Sequence, residues 1–311
     1  MKSEINAVKS EVAPRPARPA ARPTPRAPAS AQAGADESRG GLRPDSYLQS
    51  LEKGLAVLHA FTAARPWLTM AEVADLTGQD RAAARRALLT LHQLGYLSQR
   101  GKHFGLTAKV LGFGYEYLAA LPFWALAHPV LEALSDELNE TISIGVLDGA
   151  DVVFILRVPA KRLLTFDPST GSRLPAHLHS LGHILLAQLP DNELQPVLKR
   201  VKYTRFTPRS VMTEQELQDY IARARNQGWA SSSCLYDEII GGISVALKDR
   251  QGTTLAALNV SYVVDSDAER RSVADILPRL QLAARRIQEA MPAAAAPRRP
   301  ERTRTRAPDA P

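Results

Sequence analysis

The chain has 311 residues, with 39 Lys/Arg, 32 Asp/Glu and a single cysteine. That length suffices for two domains with separate cores, while Cys234 alone excludes an intramolecular disulfide and any multi-cysteine zinc or iron–sulfur site. The formal charge of +7 resides in the ends, since the body from Asp45 to Met291 carries 26 charges of each sign, so the basic balance by itself says little about nucleic acid.

Both ends, residues 1–44 and 291–311, are rich in Pro, Ala and Arg and lack the apolar content that offsets the entropy of ordering, so they read as disordered tails. The N-terminus has no continuous apolar segment of a secretory signal, and no apolar run of about 18 residues marks a membrane span, so a cytoplasmic protein is expected. The first element is a helix over LEKGLAVLHAF, capped by Ser50, with Leu51, Leu55 and Leu58 on its inner side.

The next stretch, LTMAEVADLTGQDRAAARRALLTLHQLGYLSQRGKHFGL, carries the clearest signal. Thr69 and Glu72 have capping-box spacing, so a helix begins there, and Gly78 ends it in a turn. Asp80 caps a second helix in which Ala84, Leu88 and Leu91 point inward and Arg81, Arg85 and Arg86 outward. Its small residues Ala82 and Ala83 allow close approach to a major groove. Gly95 closes the helix, and two short strands at Tyr96–Ser98 and Phe104–Leu106 enclose a turn bearing Arg100 and Lys102. Residues 45–106 therefore read as a winged helix-turn-helix for double-stranded DNA, with Arg81, Ala82, Ala83, Arg85, Arg86, Arg100 and Lys102 as contacts. From Arg81 to Tyr115 there are six Lys/Arg and no acid, which favours phosphate. The competing reading is an ordinary solvated charged helix.

Thr107 caps a helix over AKVLGFGYEYLAAL, interrupted at Pro122, so residues 107–122 read as a linker helix. A further helix spans Pro129 to Leu138. Strands at Thr141–Leu147 and Asp151–Val158 flank Asp148-Gly149 as a hairpin, Leu163–Phe166 adds a strand, and Ser180–Leu189 a short helix. Thr213 and Glu216 form a second capping box for a helix that Gly228 terminates. Strands at Gly242–Lys248 and Thr254–Tyr262 precede a final helix from Asp267 to Ala290. Residues 123–290 are thus expected to be α+β, an antiparallel sheet with helices on its faces.

Chemistry has little support. His177, His179 and His183 form the one metal-like cluster, read as hydrogen-bonding or surface histidines. Ser180 with these histidines and Asp237 resembles a triad only in residue types, without a nucleophile elbow, so no catalytic, metal or cofactor site is expected. No phosphate-cradling glycine loop is present. Arg157, Lys161 and Arg162, at a strand end, either neutralise an anionic ligand or lie solvated, and the solvated reading is preferred.

YLQSLEKGLAVLHAF, TGQDRAAARRALLTLHQLGYL, FGLTAKVLGFG and STGSRLPAHLHSLGHILLAQLP, in this order, resemble the blocks of the IclR family of bacterial transcriptional regulators over Tyr47 to Ala290. DRAAARRALLTL, LRVPAKRLL and AALNVS are most similar to its aromatic-catabolism subgroup, represented by PcaU, PcaR and PobR. The resemblance implies an α+β chain in which the N-terminal winged helix-turn-helix is joined by a helix to a GAF-like effector and oligomerisation domain with an antiparallel sheet. It also implies homodimers or homotetramers, RNA polymerase as a further partner, and a small-molecule carboxylate effector such as protocatechuate, 4-hydroxybenzoate or β-ketoadipate. Its ligand positions map onto Ser169, Thr170 and Gly171, onto Ser180 and Leu181 at a helix start whose amides suit a carboxylate, and onto Asp237, Ser244, Asn259 and Ser261. The alternative function is a ligand-binding enzyme or sensor that acts without DNA.

Overall fold

The computed structural model describes residues 47–161 and 168–291. Both expected tails, apart from Met291 at the edge of the second, and the expected strand at Leu163–Phe166 lie outside the described residues, as does Arg162.

Helix α1 (Gln49–Ala60) packs through Val57 and Ala60, continued by Phe61. The sequence reading placed Leu51, Leu55 and Leu58 inward, but Leu51 and Leu55 are exposed and Leu58 is only half-buried. The helix begins before Ser50 and is rotated so that its smaller apolar residues meet the core. Strand β1 (Trp67–Thr69) leads into α2 (Met70–Thr77), whose start is the expected reciprocal cap: the Glu72 amide donates to Thr69 Oγ1 at 3.3 Å and the Thr69 amide to Glu72 Oε2 at 2.7 Å. Gly78, at φ 64°, ends α2 in the left-handed conformation that a Cβ disfavours. Asp80 then caps α3 (Arg81–Gln93) by accepting from the Ala83 amide at 2.8 Å. Gln79 Nε2 donates to the Lys53 carbonyl at 3.0 Å, which fastens the turn to α1. Val57, Val73, Ala84, Leu88 and Phe104 are fully buried in the small core so formed.

Strands β2 (Leu97–Arg100) and β3 (His103–Leu106) make the wing, paired antiparallel from Leu97↔Leu106 to Arg100↔His103. Strand β1 pairs with β3 on its other edge, so the sheet has three strands, not the two expected. Gly105 is required where they meet, because a Cβ there would stand 2.8 Å from the Trp67 ring.

Thr107 caps a 3₁₀ turn, Ala108–Val110, that runs into α4 (Leu111–Ala119). Helix α5 (Trp124–Leu138) starts five residues before the expected Pro129, which sits within its first turns, and the axes of Ala108–Ala119 and Trp124–Leu138 differ by 86°. Pro129, in the second turn, forgoes one bond to the Ala125 carbonyl, and the buried spacing of Ala127, Leu131 and Leu134 carries α5 through it. Among the described residues no single helix is long and apolar enough to cross a membrane.

The rest is one antiparallel sheet of six strands in the order β6-β5-β4-β9-β8-β7. Its members are β4 (Thr141–Asp148), β5 (Asp151–Val158), β6 (Arg173–Pro175), β7 (Trp229–Ser233), β8 (Ile240–Lys248) and β9 (Thr254–Val263). One face packs against α5 and the C-terminal α10 (Leu277–Ala290) through Leu131, Ile144, Val260, Leu280 and Ile287. The other face packs against α6 (Ser180–Gln188), α7 (Asp191–Leu198) and α8 (Glu214–Gln227). Helix α8 has the expected reciprocal cap between Thr213 and Glu216, and Gly228 follows at φ 78°. Gly182 lets α6 sit directly on the 3₁₀ turn Ala176–Leu178, since a Cβ there would run into the Ala176 backbone. The final helix is not uniform: α9 (Ala268–Arg271) passes into a π turn, Ser272–Ile276, before α10.

Candidate functional site

Two surfaces carry the chemistry. On α3, Arg81, Ala82, Arg85 and Arg86 are exposed, whereas the Ala83 side chain turns into the core, so among the two alanines only Ala82 presents a small surface outward. Arg86 lies at the edge of this face, its stem bordering a groove against α1. No salt bridge engages Arg81, Arg85 or Arg86 among the described residues, and Asp80 at the helix start is spent on the Ala83 amide, which holds its carboxyl below the usual aspartate range. On the wing, Lys102 is exposed beside Gly101 at φ 59°. Arg100 stacks over the Trp67 ring at 4.5 Å, which fixes its direction without neutralising it. Lys109, counted with these cations in the sequence, donates instead to the Leu94 carbonyl at 2.8 Å and closes the end of α3.

The second surface is a cavity of about 30 Å³ at the β5–β8 end of the sheet. Apolar walls come from Phe154, Leu174, Leu178, Leu235 and Ile240, and polar groups from Arg157, His179, Ser232, Asp237 and Ser261. Of the ligand positions implied by the family resemblance, Asp237 and Ser261 line it. Ser169, Thr170 and Gly171 do not: they form an exposed turn in which the Gly171 amide donates to the Phe154 carbonyl at 2.7 Å and the Ser172 amide to that of Ser169 at 2.9 Å.

Ser180, Leu181, Ser244 and Asn259 are wholly buried behind the cavity. There Ser180 Oγ donates to Asn259 Oδ1 at 3.0 Å, Ser244 Oγ lies 2.9 Å from both, and Asn259 Nδ2 donates to Ser261 Oγ at 2.8 Å. Gly242 underlies the cluster, a Cβ there standing 2.9 Å from Ser180 Oγ. The helix start expected to offer amides to a carboxylate is also occupied: the Ser180 amide donates to Ser232 Oγ at 3.1 Å and the Leu181 amide to His179 Nδ1 at 3.1 Å. Buried polar groups must be paired, and here they pair with one another.

Arg157, for which the solvated reading was preferred, and His179, read as a hydrogen-bonding or surface histidine, both line the cavity. Strand alternation puts Arg157 on the face opposite Phe154. A bulge on β5, where Ile155 is the extra residue opposite Ile144 and Gly145 of β4, leaves Ile155 and Leu156 both on the α5 side, so parity reverses and Arg157 joins Phe154 at the cavity. Its Nη1 donates to Ser143 Oγ at 3.1 Å and its guanidinium lies 5.7 Å from the Phe154 ring centre. His179 caps α6, and because its Nδ1 accepts from Leu181, its proton sits on Nε2. Desolvation, with His183 and Arg157 adding repulsion, pushes His179 down to about 3, so the ring is neutral. His177 and His183 are pushed down to about 4, desolvation being the largest cause. They are packed: His183 Nε2 lies 3.0 Å from the His177 carbonyl and its ring stacks on Tyr220, while His177 meets the Tyr203 ring.

The IclR helix-turn-helix domain model matches residues 50–101 and the bacterial transcriptional regulator IclR C-terminal model matches residues 115–289. The chain is 36% identical over 274 residues to the Pca regulon regulatory protein of Pseudomonas putida, covering 86% of this chain and 94% of that one. It is 33% identical to the p-hydroxybenzoate hydroxylase transcriptional activator of Acinetobacter baylyi, covering 79% and 93%. Among solved structures, a transcriptional regulator from Rhodococcus sp. RHA1 superposes with TM-score 0.67 at 36% identity, over 78% of this chain and 98% of that one. The inducer-binding domain of Acinetobacter PobR, as a double mutant in complex with 3-hydroxybenzoic acid, superposes with TM-score 0.50 at 25% identity, over 54% and 98%. This chain is therefore a transcriptional regulator and not an enzyme, and it belongs to the IclR family of DNA-binding proteins.

Proposed function

We propose that α3 and the wing read promoter DNA and that an aromatic carboxylate of the hydroxybenzoate class, bound between β5 and the loop after β7, controls that reading. The observation that carries the ligand class is the polarity of the cavity walls. Arg157 and the Nε2 proton of His179 supply donors for a carboxylate, Asp237 supplies an acceptor for a ring hydroxyl, and Phe154, Leu174 and Leu235 supply apolar faces for the ring. Asp237 keeps this role while one of its oxygens accepts from the Ile239 amide at 2.9 Å. Two relatives are named for the Pca regulon and for p-hydroxybenzoate hydroxylase, and a structural relative holds 3-hydroxybenzoic acid. The cavity of about 30 Å³ has room for roughly one water, so the acid enters by parting its walls. That movement gives the ligand different affinities for two states of the protein, which regulation requires.

On the DNA side, Arg81, Ala82, Arg85 and Arg86 face the major groove, and Arg100 and Lys102 approach the backbone beside it. A homodimer or homotetramer is supported by apolar surface left open on α1 and α4: Leu51, Leu55, Leu111, Phe113 and Tyr115 are each at least half exposed. In this reading residues 45–106 serve DNA, 107–122 form the linker and 123–290 serve ligand and assembly.

Titration calorimetry of the full chain with 4-hydroxybenzoate, protocatechuate and benzoate tests the ligand reading. The hydroxylated acids bind more tightly than benzoate, and Arg157→Ala weakens them by about tenfold or more through loss of a charge-assisted bond. If none of the three binds, or if Arg157→Ala leaves binding unchanged, the assignment fails.

A further inference from the structure

Edge strand β7 borders a second cavity of about 370 Å³ on its other side, sharing only Ser232 with the first. Its lining contains two guanidinium groups, Arg209 and Arg223, and no carboxylate. Among the described residues no ion pair engages either of them, and the carboxylates of the neighbouring helix accept from other groups. Glu216 accepts from the Met212 and Thr213 amides, Glu214 from Gln218 and Asp219 from Gln215. Arg225, two residues along α8 from Arg223, shows the contrast, because it is clamped by Asp191 and by the Ala187 and Leu189 carbonyls. Arg223 instead lies over the Tyr220 ring at 4.4 Å, which orients the guanidinium without tying it into an ion pair. Between the arginines, β7 offers Ser231 and Ser233, and Trp229 and Tyr262 provide flat walls.

We propose that this cleft is a second ligand site, for a small organic dianion with a flat body, either an aryl phosphomonoester or an aromatic dicarboxylate. Two arginines match two negative charges, and planar guanidinium groups bind phosphoryl and carboxylate oxygens bidentately. A monocarboxylate satisfies one of them. An ion without a body leaves Trp229 and Tyr262 unused. The site does not depend on the hydroxybenzoate reading, since none of its residues except Ser232 touches the first cavity. Strand β7 is the element through which the two sites would sense each other.

The test is calorimetric titration of the full chain with phenyl phosphate, phthalate, inorganic phosphate and benzoate. At least one of phenyl phosphate and phthalate binds, and which of them does identifies the charged group. Inorganic phosphate and benzoate bind about tenfold or more weakly than that dianion. Both arginines are exposed, so Arg209→Gln/Arg223→Gln folds, and it weakens the dianion by about a hundredfold while leaving a hydroxybenzoate titration unchanged. Arg157→Ala leaves dianion binding intact. The proposal is overturned if neither dianion binds, if the double variant binds the dianion as the parent does, if inorganic phosphate or benzoate binds equally well, or if Arg157→Ala abolishes dianion binding.

Discussion

The α3 surface and the Ser180–Asn259 cluster are both polar, yet one consists of charges without ion-pair partners among the described residues and the other of neutral groups that satisfy each other. A surface of the first kind gains by meeting phosphate, because little internal bonding is given up when it does. The second kind cannot engage a ligand without breaking bonds already made, so we assign it to fixing the geometry of the wall, and the proposed recognition to Arg157, His179 and Asp237 in front of it. Access to the cavity or to solvent, more than residue type, is what separates the proposed binding residues from the supporting ones.

Acid should divide the two regions most strongly. His177 and His183 have folded pKa values near about 4, against about 6.5 in the unfolded chain. Between these values the unfolded chain holds more protons, so their contribution is intact above pH of about 6.5, is lost as pH falls toward about 4, and changes no further below. Melting temperature followed across this window should fall steeply, and a His177→Phe/His183→Phe chain should show a shallower decline. The arginines of α3 do not titrate in this range, so a decline unaltered by the double replacement would remove the histidines from the account.

Gly182→Val breaks the buried region directly. The new side chain must displace the Ala176 backbone, and we expect about 3 kcal/mol of destabilisation in urea unfolding. A loss below about 1 kcal/mol would mean that α6 can lift from the turn beneath it. Arg85→Ala acts on the opposite region: affinity for a DNA site selected by the protein from random sequence should drop by about 2 kcal/mol with relaxed base preference, while urea stability stays within about 0.5 kcal/mol. Equal affinity would show that α3 is not the reading helix. Lys102→Ala on the wing should have the smallest effect, lowering the salt dependence of DNA binding by about one unit of slope for all sequences alike. A change confined to one sequence would make Lys102 a base contact.

Signals that lie within a few residues were legible in the sequence. The caps at Thr69, Asp80 and Thr213, the left-handed Gly78 and Gly228, and the β4–β5 hairpin all have causes that neighbouring side chains display. Strand β1 was missed because three residues carry no period and its partner β3 lies far along the chain. Strand β7 reads Trp-Ala-Ser-Ser-Ser, without apolar alternation, and exists through pairing with β8. Helix α7 was hidden by Pro190 and Pro196, the first serving as its cap residue and the second lying inside it. In the effector region the sequence did not show which side chains face the cavity: of the positions it named, Asp237 and Ser261 line it, and Ser169, Thr170 and Gly171 do not. Arg157 shows why: one bulged residue reverses strand parity, and nothing local in LRVPAKR announces it.

The π turn at Ser272–Ile276 bears on how the chain can change length. There the Leu277 amide reaches back five residues to the Ser272 carbonyl, so the turn holds one residue more than an α-helix would, and Val273, Ala274 and Asp275 point to solvent. Removing one of those three would let the backbone close into an uninterrupted α-helix, with Ile276, Leu280 and Ile287 still directed at the sheet. In relatives a single-codon deletion would be tolerated here and an equal deletion inside α10 would not, so this turn is the place where an indel can be absorbed without disturbing the ligand-binding half of the molecule.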